Sequence, residues 1–317
     1  MKRLLIAAAV LAQSAGLAVA ADAAKVAVTA IVEHPALDAA RDGIRDGLKA
    51  AGWDGDRIAF SYESAQGNPA TAAQIARKLI GEEPDVIVPI STPSAQAVVA
   101  ATKSIPVVFT AVTDPVGAQL VVDPGKPGGN VTGLSDLSPL ADHLALIREI
   151  TPDARRIGVP YNPGEPNAVT LVNLLKEMAG DHGVTIVEAT ASKSSEVQAA
   201  ARSLIGKVDV IYVPTDNTIV SALEAVIGVG TQSKIPVYAG DTASVERGAI
   251  ATVGFDYYQI GLQTAEIVAR VLKGEKPGDI AVTGAKGTDL FVNLKSAAAM
   301  GVTVPDAVKS RAKKVIE

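Results

Sequence analysis

The sequence predicts an α/β protein built from two doubly wound parallel-sheet lobes. Three observations carry that reading. Short β-branched runs alternate with longer Ala-rich amphipathic stretches, the strand runs are almost continuously apolar, and one helix–strand unit recurs in the second half of the chain. Alternation of strand and helix implies parallel strands joined by crossover helices. Continuous apolar character implies strands covered on both faces, because a strand with one wet face alternates polar and apolar residues.

Taken in order, the first half reads as strand 26–29, helix 35–51, strand 58–62, helix 70–81, strand 86–89, helix 94–103, strand 107–110 and helix 140–150. The second half reads as strand 157–161, helix 168–182, strand 185–188, helix 194–206, strand 210–213, helix 219–233, strands 237–239 and 251–253, and helix 257–272. Each strand is rich in Val, Ile and Tyr, and each helix carries apolar residues at helical spacing. The repeat pairs residues 77–88 (RKLIGEEPDVIV) with residues 202–213 (RSLIGKVDVIYV). Each copy is followed by a loop, a helix and an Ile-Pro-Val strand start, at Ile105-Pro106-Val107 and Ile235-Pro236-Val237. Repetition at this distance points to two lobes of one topology.

The N-terminus carries its own signal. Lys2 and Arg3 precede an apolar run from Leu4 to Ala12, and Ala18-Val19-Ala20 forms a small-residue cleavage pattern. Residues 1–20 therefore read as a secretory signal peptide. Gln13 and Ser14 interrupt the run well short of the roughly 20 residues a membrane-spanning helix needs, so an anchor is the poorer reading. No later run is long enough to span a membrane, and the chain is expected not to be membrane-embedded. The formal net charge is −5, and no basic patch is available to displace counterions from nucleic acid or to dock on anionic lipid. The chain has no cysteine, which excludes disulfides and lipid attachment through an N-terminal cysteine. A freely diffusing protein of a Gram-negative periplasm is the expectation.

Several stretches resemble one known family: HPALDAARDGI (34–44), STPSAQA (91–97), TAVTDPVGAQLVVDPGKPGGNVTGLSD (110–136), YNPGEPN (161–167), YVPTDNTIVSALEA (212–225) and YAGDTASVERGAIATVGFDYYQIG (238–261). They are similar to ABC-transporter substrate-binding proteins of the type I periplasmic-binding fold, and within these to a subfamily associated with tryptophan or tyrosine uptake. The resemblance implies a three-strand hinge, with crossings near Leu134, near Gly254–Asp256 and near Val292. The N-terminal lobe would then hold residues 25–134 plus 256–291, and the C-terminal lobe residues 135–255 plus 292–317. It also implies a small-molecule ligand, an amino acid such as an aromatic one, and an ABC permease in the inner membrane as partner.

Two facing lobes place both sets of strand carboxyl ends on one crevice, where ligands of open parallel sheets sit. Thr92 reads as an N-cap with Pro93 at the first helical position. Hydroxyls of Ser91, Thr92 and Ser94 then surround a helix start suited to a carboxylate. Asp216-Asn217 occupies the equivalent loop of the second lobe, and Asp241 ends the next strand beside Gly240. An acidic group opposite a donor-rich loop suits an α-amino acid, although each Asp also reads as an ordinary cap. His34, Gln66, Thr113, Asp114 and Asn162 are further loop candidates. Among the aromatic residues near strand ends, Tyr161 and Phe255 are the site candidates, with Phe109, Tyr257 and Tyr258 beside them.

No G-x-S-x-G elbow, Walker A loop or G-x-G-x-x-G fingerprint is present, and His34, His143 and His182 lack metal-ligand spacing. No cofactor and no enzymatic activity are expected. Three alternatives remain open: a binding protein that reports to a receptor, one that binds another apolar solute, and an exported hydrolase.

Overall fold

Strand and helix alternate through almost the whole chain, as the apolar patterning requires. The computed structural model describes residues 23–317, and the signal peptide assigned to residues 1–20 lies outside the described residues. The first part contains β1 (Ala24–Ala30), α1 (Pro35–Ala50), β2 (Ile58–Ser64), α2 (Pro69–Gly81), β3 (Val86–Ile90), α3 (Thr92–Ala101), β4 (Val107–Val112) and β5 (Val131–Ser135). Next come α4 (Leu140–Ile150), β6 (Arg156–Tyr161), α5 (Pro166–Ala179), β7 (Thr185–Thr190), α6 (Val197–Ser203), β8 (Val210–Val213), α7 (Asn217–Ser221), α8 (Leu223–Ser233) and β9 (Val237–Ala239). The last part comprises α9 (Thr242–Glu246), β10 (Ala251–Phe255), α10 (Tyr257–Leu272), β11 (Thr283–Gly284), β12 (Thr288–Asn293), α11 (Leu294–Ala299), α12 (Asp306–Arg311) and β13 (Lys314–Ile316).

One sheet runs β11-β5-β4-β3-β1-β2 and a second runs β7-β6-β8-β9. Every pairing within these two sheets is parallel. A third sheet, β10-β12-β13, joins the edge of the second through an Asp241–Phe255 bridge. The orders β2-β1-β3-β4 and β7-β6-β8-β9 are the same winding, so the duplication read from the sequence is a duplication of topology.

The repeated residues have matching mechanical roles. Asp85 accepts the backbone N–H of Lys25 at 2.7 Å, and Asp209 accepts those of Arg155 and Arg156 at 2.9 and 2.8 Å. Each aspartate thus fastens the start of the third strand of its lobe to the start of the first. The Ile-Pro-Val starts behave alike: Ile87 N–H donates to the Pro106 carbonyl at 2.9 Å, and Ile211 N–H to the Pro236 carbonyl at 2.8 Å.

There are two hydrophobic cores. One draws on residues from Val26 to Leu134 and from Phe255 to Ile280, the other on residues from Leu140 to Ala251 and from Leu290 to Val308. The chain passes between them near Asp136, near Asp256, and between Ala285 and Thr288. The third passage precedes the position near Val292 suggested by the sequence, because Val292 pairs with Ala251 inside β12–β10. The helix expected over 219–233 is broken at Ala222 (φ −122°, ψ 30°) into α7 and α8. The helix expected over 194–206 begins as a 3-10 turn, Ser194–Glu196, and regular α structure is confined to α6. Strands β5, β11, β12 and β13 and helices α9, α11 and α12 were not legible, being short or set in Gly- and Pro-rich sequence.

Helix α1 shows how tightly the first lobe is assembled. Pro35 fits its first turn, Lys49 complements its C-terminal dipole, and Leu37, Ala40, Ile44 and Leu48 bury one face. Against it lies α10, and a Cβ on Gly261 would stand 2.2 Å from the Ala40 carbonyl oxygen and 2.8 Å from Gly43 Cα. Only glycine permits that approach. Gly261→Ala should therefore destabilise the protein by about 1–3 kcal/mol, the usual cost of overpacking. Gly228→Ala, inside α8 with nothing within 4 Å of the added carbon, should instead stabilise by roughly 0.4–1 kcal/mol. Equilibrium urea unfolding of both variants measures the contrast in sign.

Candidate functional site

In each lobe the winding reverses between the first and third strands, and the crevice opens at that switch point. His34 follows β1 and Ser91 follows β3, whereas Asn167 follows β6 and Thr215 follows β8. All four line a single narrow pocket between the lobes, together with Ala36, Leu37, Ala111, Thr113, Asp136, Asp216, Asn217, Val220, Asp241 and Tyr257.

Hydrogen-bond accounting marks this pocket. Buried polar atoms are nearly always partnered, because an orphan costs roughly 1–3 kcal/mol. His34 Nδ1, Ser91 Oγ, Asn167 Oδ1 and Thr215 Oγ1 are buried without a partner, one atom behind each switch-point strand. Thr92 Oγ1 and Ser94 Oγ, in the first turn of α3, are in the same condition. Among the described residues only Ser138 Oγ and Thr252 Oγ1 share it outside this region.

Three carboxylates face those groups. Asp216 Oδ1 accepts Ile219 N–H at 2.9 Å and Oδ2 accepts Asn162 N–H at 2.5 Å, so it caps α7. Asp241 caps α9 by accepting Ser244 N–H at 2.8 Å and the Ser244 hydroxyl at 2.6 Å. Asp136 accepts the Tyr257 hydroxyl at 2.6 Å. Burial raises all three carboxyls above the usual range, and Glu165 adds to the rise at Asp216. Glu165 itself accepts Asn217 and Thr218 N–H at 3.1 and 3.0 Å at the start of α7. No Lys or Arg lines the pocket. Arg247 lies behind it, donating to Glu224 and to the Val220 carbonyl.

The backbone at the site is strained. Ser91 has φ 79° and Ala111 φ 53°, the latter where the β4–β5 register shifts. Left-handed backbone in residues with a Cβ is costly and concentrates at functional sites. Ser91, not Thr92, occupies the N-cap position of α3, and its hydroxyl does not cap. The hydroxyl of Thr92, read from the sequence as the cap, lies in the first turn instead.

The residues singled out in the sequence separate into two groups. His34, Ser91, Thr113, Asp216, Asn217 and Asp241 line the inner pocket, and Thr92 and Ser94 stand beside it. Asn162 and Gln66 line an outer cleft of about 520 Å³ that shares Asn217 with the pocket. Asp114 is off the wall, spent on a turn to Gly117 N–H at 2.8 Å. Tyr161 faces the surface, its hydroxyl donating to Glu188 at 2.7 Å, and that bond pushes its pKa to about 12. The Phe255 ring is buried in the first core. Asp136, Asn167 and Thr215 line the pocket without having been picked out, although all three fall within the stretches GLSD, GEPN and PTDN just past strand ends. Tyr257 had been grouped only with the general aromatic set.

A family described as ABC transporter substrate binding protein matches residues 25–316. A tyrosine-binding protein from Clostridioides difficile is 44% identical over 269 residues, covering 84% of this chain and 78% of the relative. A solved ABC domain from Streptococcus pneumoniae in complex with L-Trp is 37% identical, with TM-score 0.90 over 93% of this chain and 100% of that one. A ligand-free, open structure of a substrate-binding protein with adhesive properties from Clostridium difficile is 41% identical, with TM-score 0.70 over 92% of this chain and 99% of that one. More distant solute-binding proteins, under 25% identical, share the type I periplasmic-binding fold alone. The chain belongs to the ABC transporter substrate-binding protein family.

The buried imidazoles give a pH signature. Burial drives the His34 pKa down from 6.5 to about 3, with Arg247 adding to the shift. His143, held between the Tyr212 hydroxyl at 2.7 Å and the Val253 carbonyl at 2.8 Å, is lowered to about 4 by burial. The unfolded chain protonates both near 6.5, so it binds more protons below that pH, and this contribution to stability falls as pH drops toward 4. The raised carboxyls act in the opposite sense, because the folded chain keeps protons that unfolded carboxylates release. His34→Leu removes one imidazole from this balance. Between pH 6.5 and 4 it should lose less stability than the parent, by up to about 1.4 kcal/mol per pH unit. Urea unfolding at both pH values tests this, and an equal loss in both proteins would refute a neutral His34.

Proposed function

We propose that this substrate-binding protein captures an α-amino acid with an aromatic side chain by closure of its lobes in the periplasm, and hands it unaltered to an ABC permease. One observation carries the reading: buried polar atoms lack partners on both sides of a pocket whose lining holds three carboxylates and no Lys or Arg. An α-amino acid answers both needs. Its carboxylate suits the first turn of α3, where helix N–H groups and the hydroxyls of Ser91, Thr92 and Ser94 are unspent. Its ammonium suits Asp136, Asp216 and Asp241, with up to three charge-assisted hydrogen bonds. Ala36, Leu37, Ala111, Val220 and Tyr257 provide the apolar contact for a ring.

The names of the relatives support an aromatic ligand, since one is a tyrosine-binding protein and another holds L-Trp. Closure is supported by the TM-score of 0.90 to the L-Trp complex against 0.70 to the ligand-free open structure, although the latter is the more identical of the two. The signal-peptide pattern over residues 1–20 supports export.

Calorimetric titration and thermal shift of the mature chain against amino acids, sugars and nucleosides test the proposal. Tyrosine and tryptophan should raise the melting temperature, since a ligand at 100 times its Kd adds about 2.7 kcal/mol. Asp216→Asn and Asp241→Asn keep the cap bonds to Ile219 and Ser244 N–H while removing charge, the former at the cost of the Asn162 N–H bond, and each should weaken binding by roughly 10- to 100-fold, the worth of a hydrogen bond to a charged group. Stabilisation by sugars or nucleosides alone would overturn the amino-acid reading, and unchanged affinity in both variants would remove the two carboxylates from the site.

A further inference from the structure

We propose that His34 sets the ligand specificity of the pocket, its ring nitrogen accepting a hydrogen bond from a polar group on the ligand's aromatic ring. A phenol or an indole is then held in preference to a plain phenyl ring. The proposal rests on the aromatic amino-acid reading and adds to it the residue that distinguishes one aromatic side chain from another.

His34 stands at the N-cap position of α1 yet makes no side-chain capping bond. Its ring lines the pocket, only 8% of the residue is exposed, and Nδ1 has no partner. A histidine in such a place contributes nothing to its own helix and carries the cost of a desolvated, unpaired polar atom. The other orphaned atoms have neighbours of their own kind. Ser91, Thr92 and Ser94 form the hydroxyl cluster at α3, while Asn167 and Thr215 share the opposite wall with Asp216. Asn167 Nδ2 is committed to the Thr215 carbonyl at 3.0 Å, which leaves Oδ1 as an acceptor on the ammonium side. His34 Nδ1 stands alone as an unpartnered atom among lining residues that include Ala36 and Leu37 on the helix it precedes and Val220 on α7. A ligand whose charged groups are met elsewhere therefore brings its side chain here.

The remaining chemistry is that of neutral imidazole, which has one N–H and one lone pair. With Nδ1 as acceptor, a phenol O–H and an indole N–H both satisfy it. A phenyl ring leaves it buried and unpaired, and a site built to hydrogen-bond a substrate group discriminates against the analogue lacking that group.

The experiment is calorimetric titration of the parent, His34→Leu and His34→Asn with L-tyrosine, L-tryptophan and L-phenylalanine, with melting temperatures of the unliganded proteins. The parent should bind tyrosine and tryptophan about tenfold or more tighter than phenylalanine. In His34→Leu that ratio should fall to within about threefold. In His34→Asn, whose amide reaches the position of Nδ1, part of the preference should return. Unliganded His34→Leu should melt no lower than the parent, since an unpaired polar atom has been removed. If His34→Leu does not fold, His34→Ala takes its place, and a tyrosine-to-phenylalanine ratio equal to the parent's in that variant overturns the proposal. It is also overturned if His34→Leu keeps the parent's ratio, or if all three ligands weaken together with a lowered melting temperature, which marks a structural role. Equal binding of all three amino acids by the parent overturns only the role of His34, whereas binding of none overturns the amino-acid reading and this inference with it.

Discussion

The molecule is governed by the demand that buried polar groups be hydrogen-bonded, and by the pocket where, among the described residues, most of its exceptions gather. Two sheets of the same winding present their switch points to each other, so four strand ends converge on a space too enclosed for solvent to serve them. His34, Ser91, Asn167 and Thr215 are left there with unpaired atoms. At about 1–3 kcal/mol each, these atoms amount to a substantial fraction of the 5–15 kcal/mol by which domains are ordinarily stable. Two extensive cores allow the chain to tolerate that loss. A site that is poor for stability and rich in hydrogen-bonding capacity is what reversible capture requires.

The carboxylates solve a related problem. A buried charge is tolerated only when it is hydrogen-bonded, and the cheapest donors are the unspent N–H groups of a helix start. Asp216 on α7 and Asp241 on α9 are held in this way, and Glu165 takes two further N–H groups at the start of α7. Capping fixes the oxygen positions before any ligand arrives, so little ordering remains to be done on binding. The break at Ala222 contributes to this, because it lets α7 end after little more than one turn while α8 runs on against the core. Strain at Ser91 and Ala111 belongs to the same economy, since it aims a hydroxyl and a bulged strand end into the pocket rather than into the sheet.

The sheets were legible from the sequence because their strands are buried on both faces and their repeat is exact enough to align. Asp85 and Asp209 stand at equivalent places because each fastens two strands, and that mechanical need is what the sequence repeated. The edge elements were not legible: β11 is two residues long, and β5 lies in a stretch whose glycines and prolines read as loop. In the site, Asp216, Asp241 and the Ser91–Ser94 turn were visible through their position after strands. Asp136, Asn167 and Thr215 were not, because an Asp, an Asn or a Thr past a strand end is also common turn chemistry, and only the three-dimensional hydrogen-bond count separates a spent oxygen from an unspent one. Asp114 and Tyr161 show the converse. They stand just after or at a strand end, but Gly117 and Glu188 engage their polar atoms.

The pocket and the hinge are one structure. Asp136 follows β5 at the first passage between the cores, Tyr257 follows β10 at the second, and the 2.6 Å bond between them ties the passages together on the pocket wall. A group that touches either residue therefore touches the segments about which the lobes would turn. Across the cleft α1 approaches α9 and α3 approaches α5, so the walls that carry His34 and Ser91 stand opposite those that carry Asp241 and Asn167 only while the lobes are together. Opening separates the hydroxyls from the carboxylates and returns both to water, where their hydrogen bonds are satisfied without a ligand. The unpaired atoms thus disfavour the closed state until a ligand with donors and acceptors at both ends fills it, and this couples occupancy to closure through the ligand's difference in affinity for the two states.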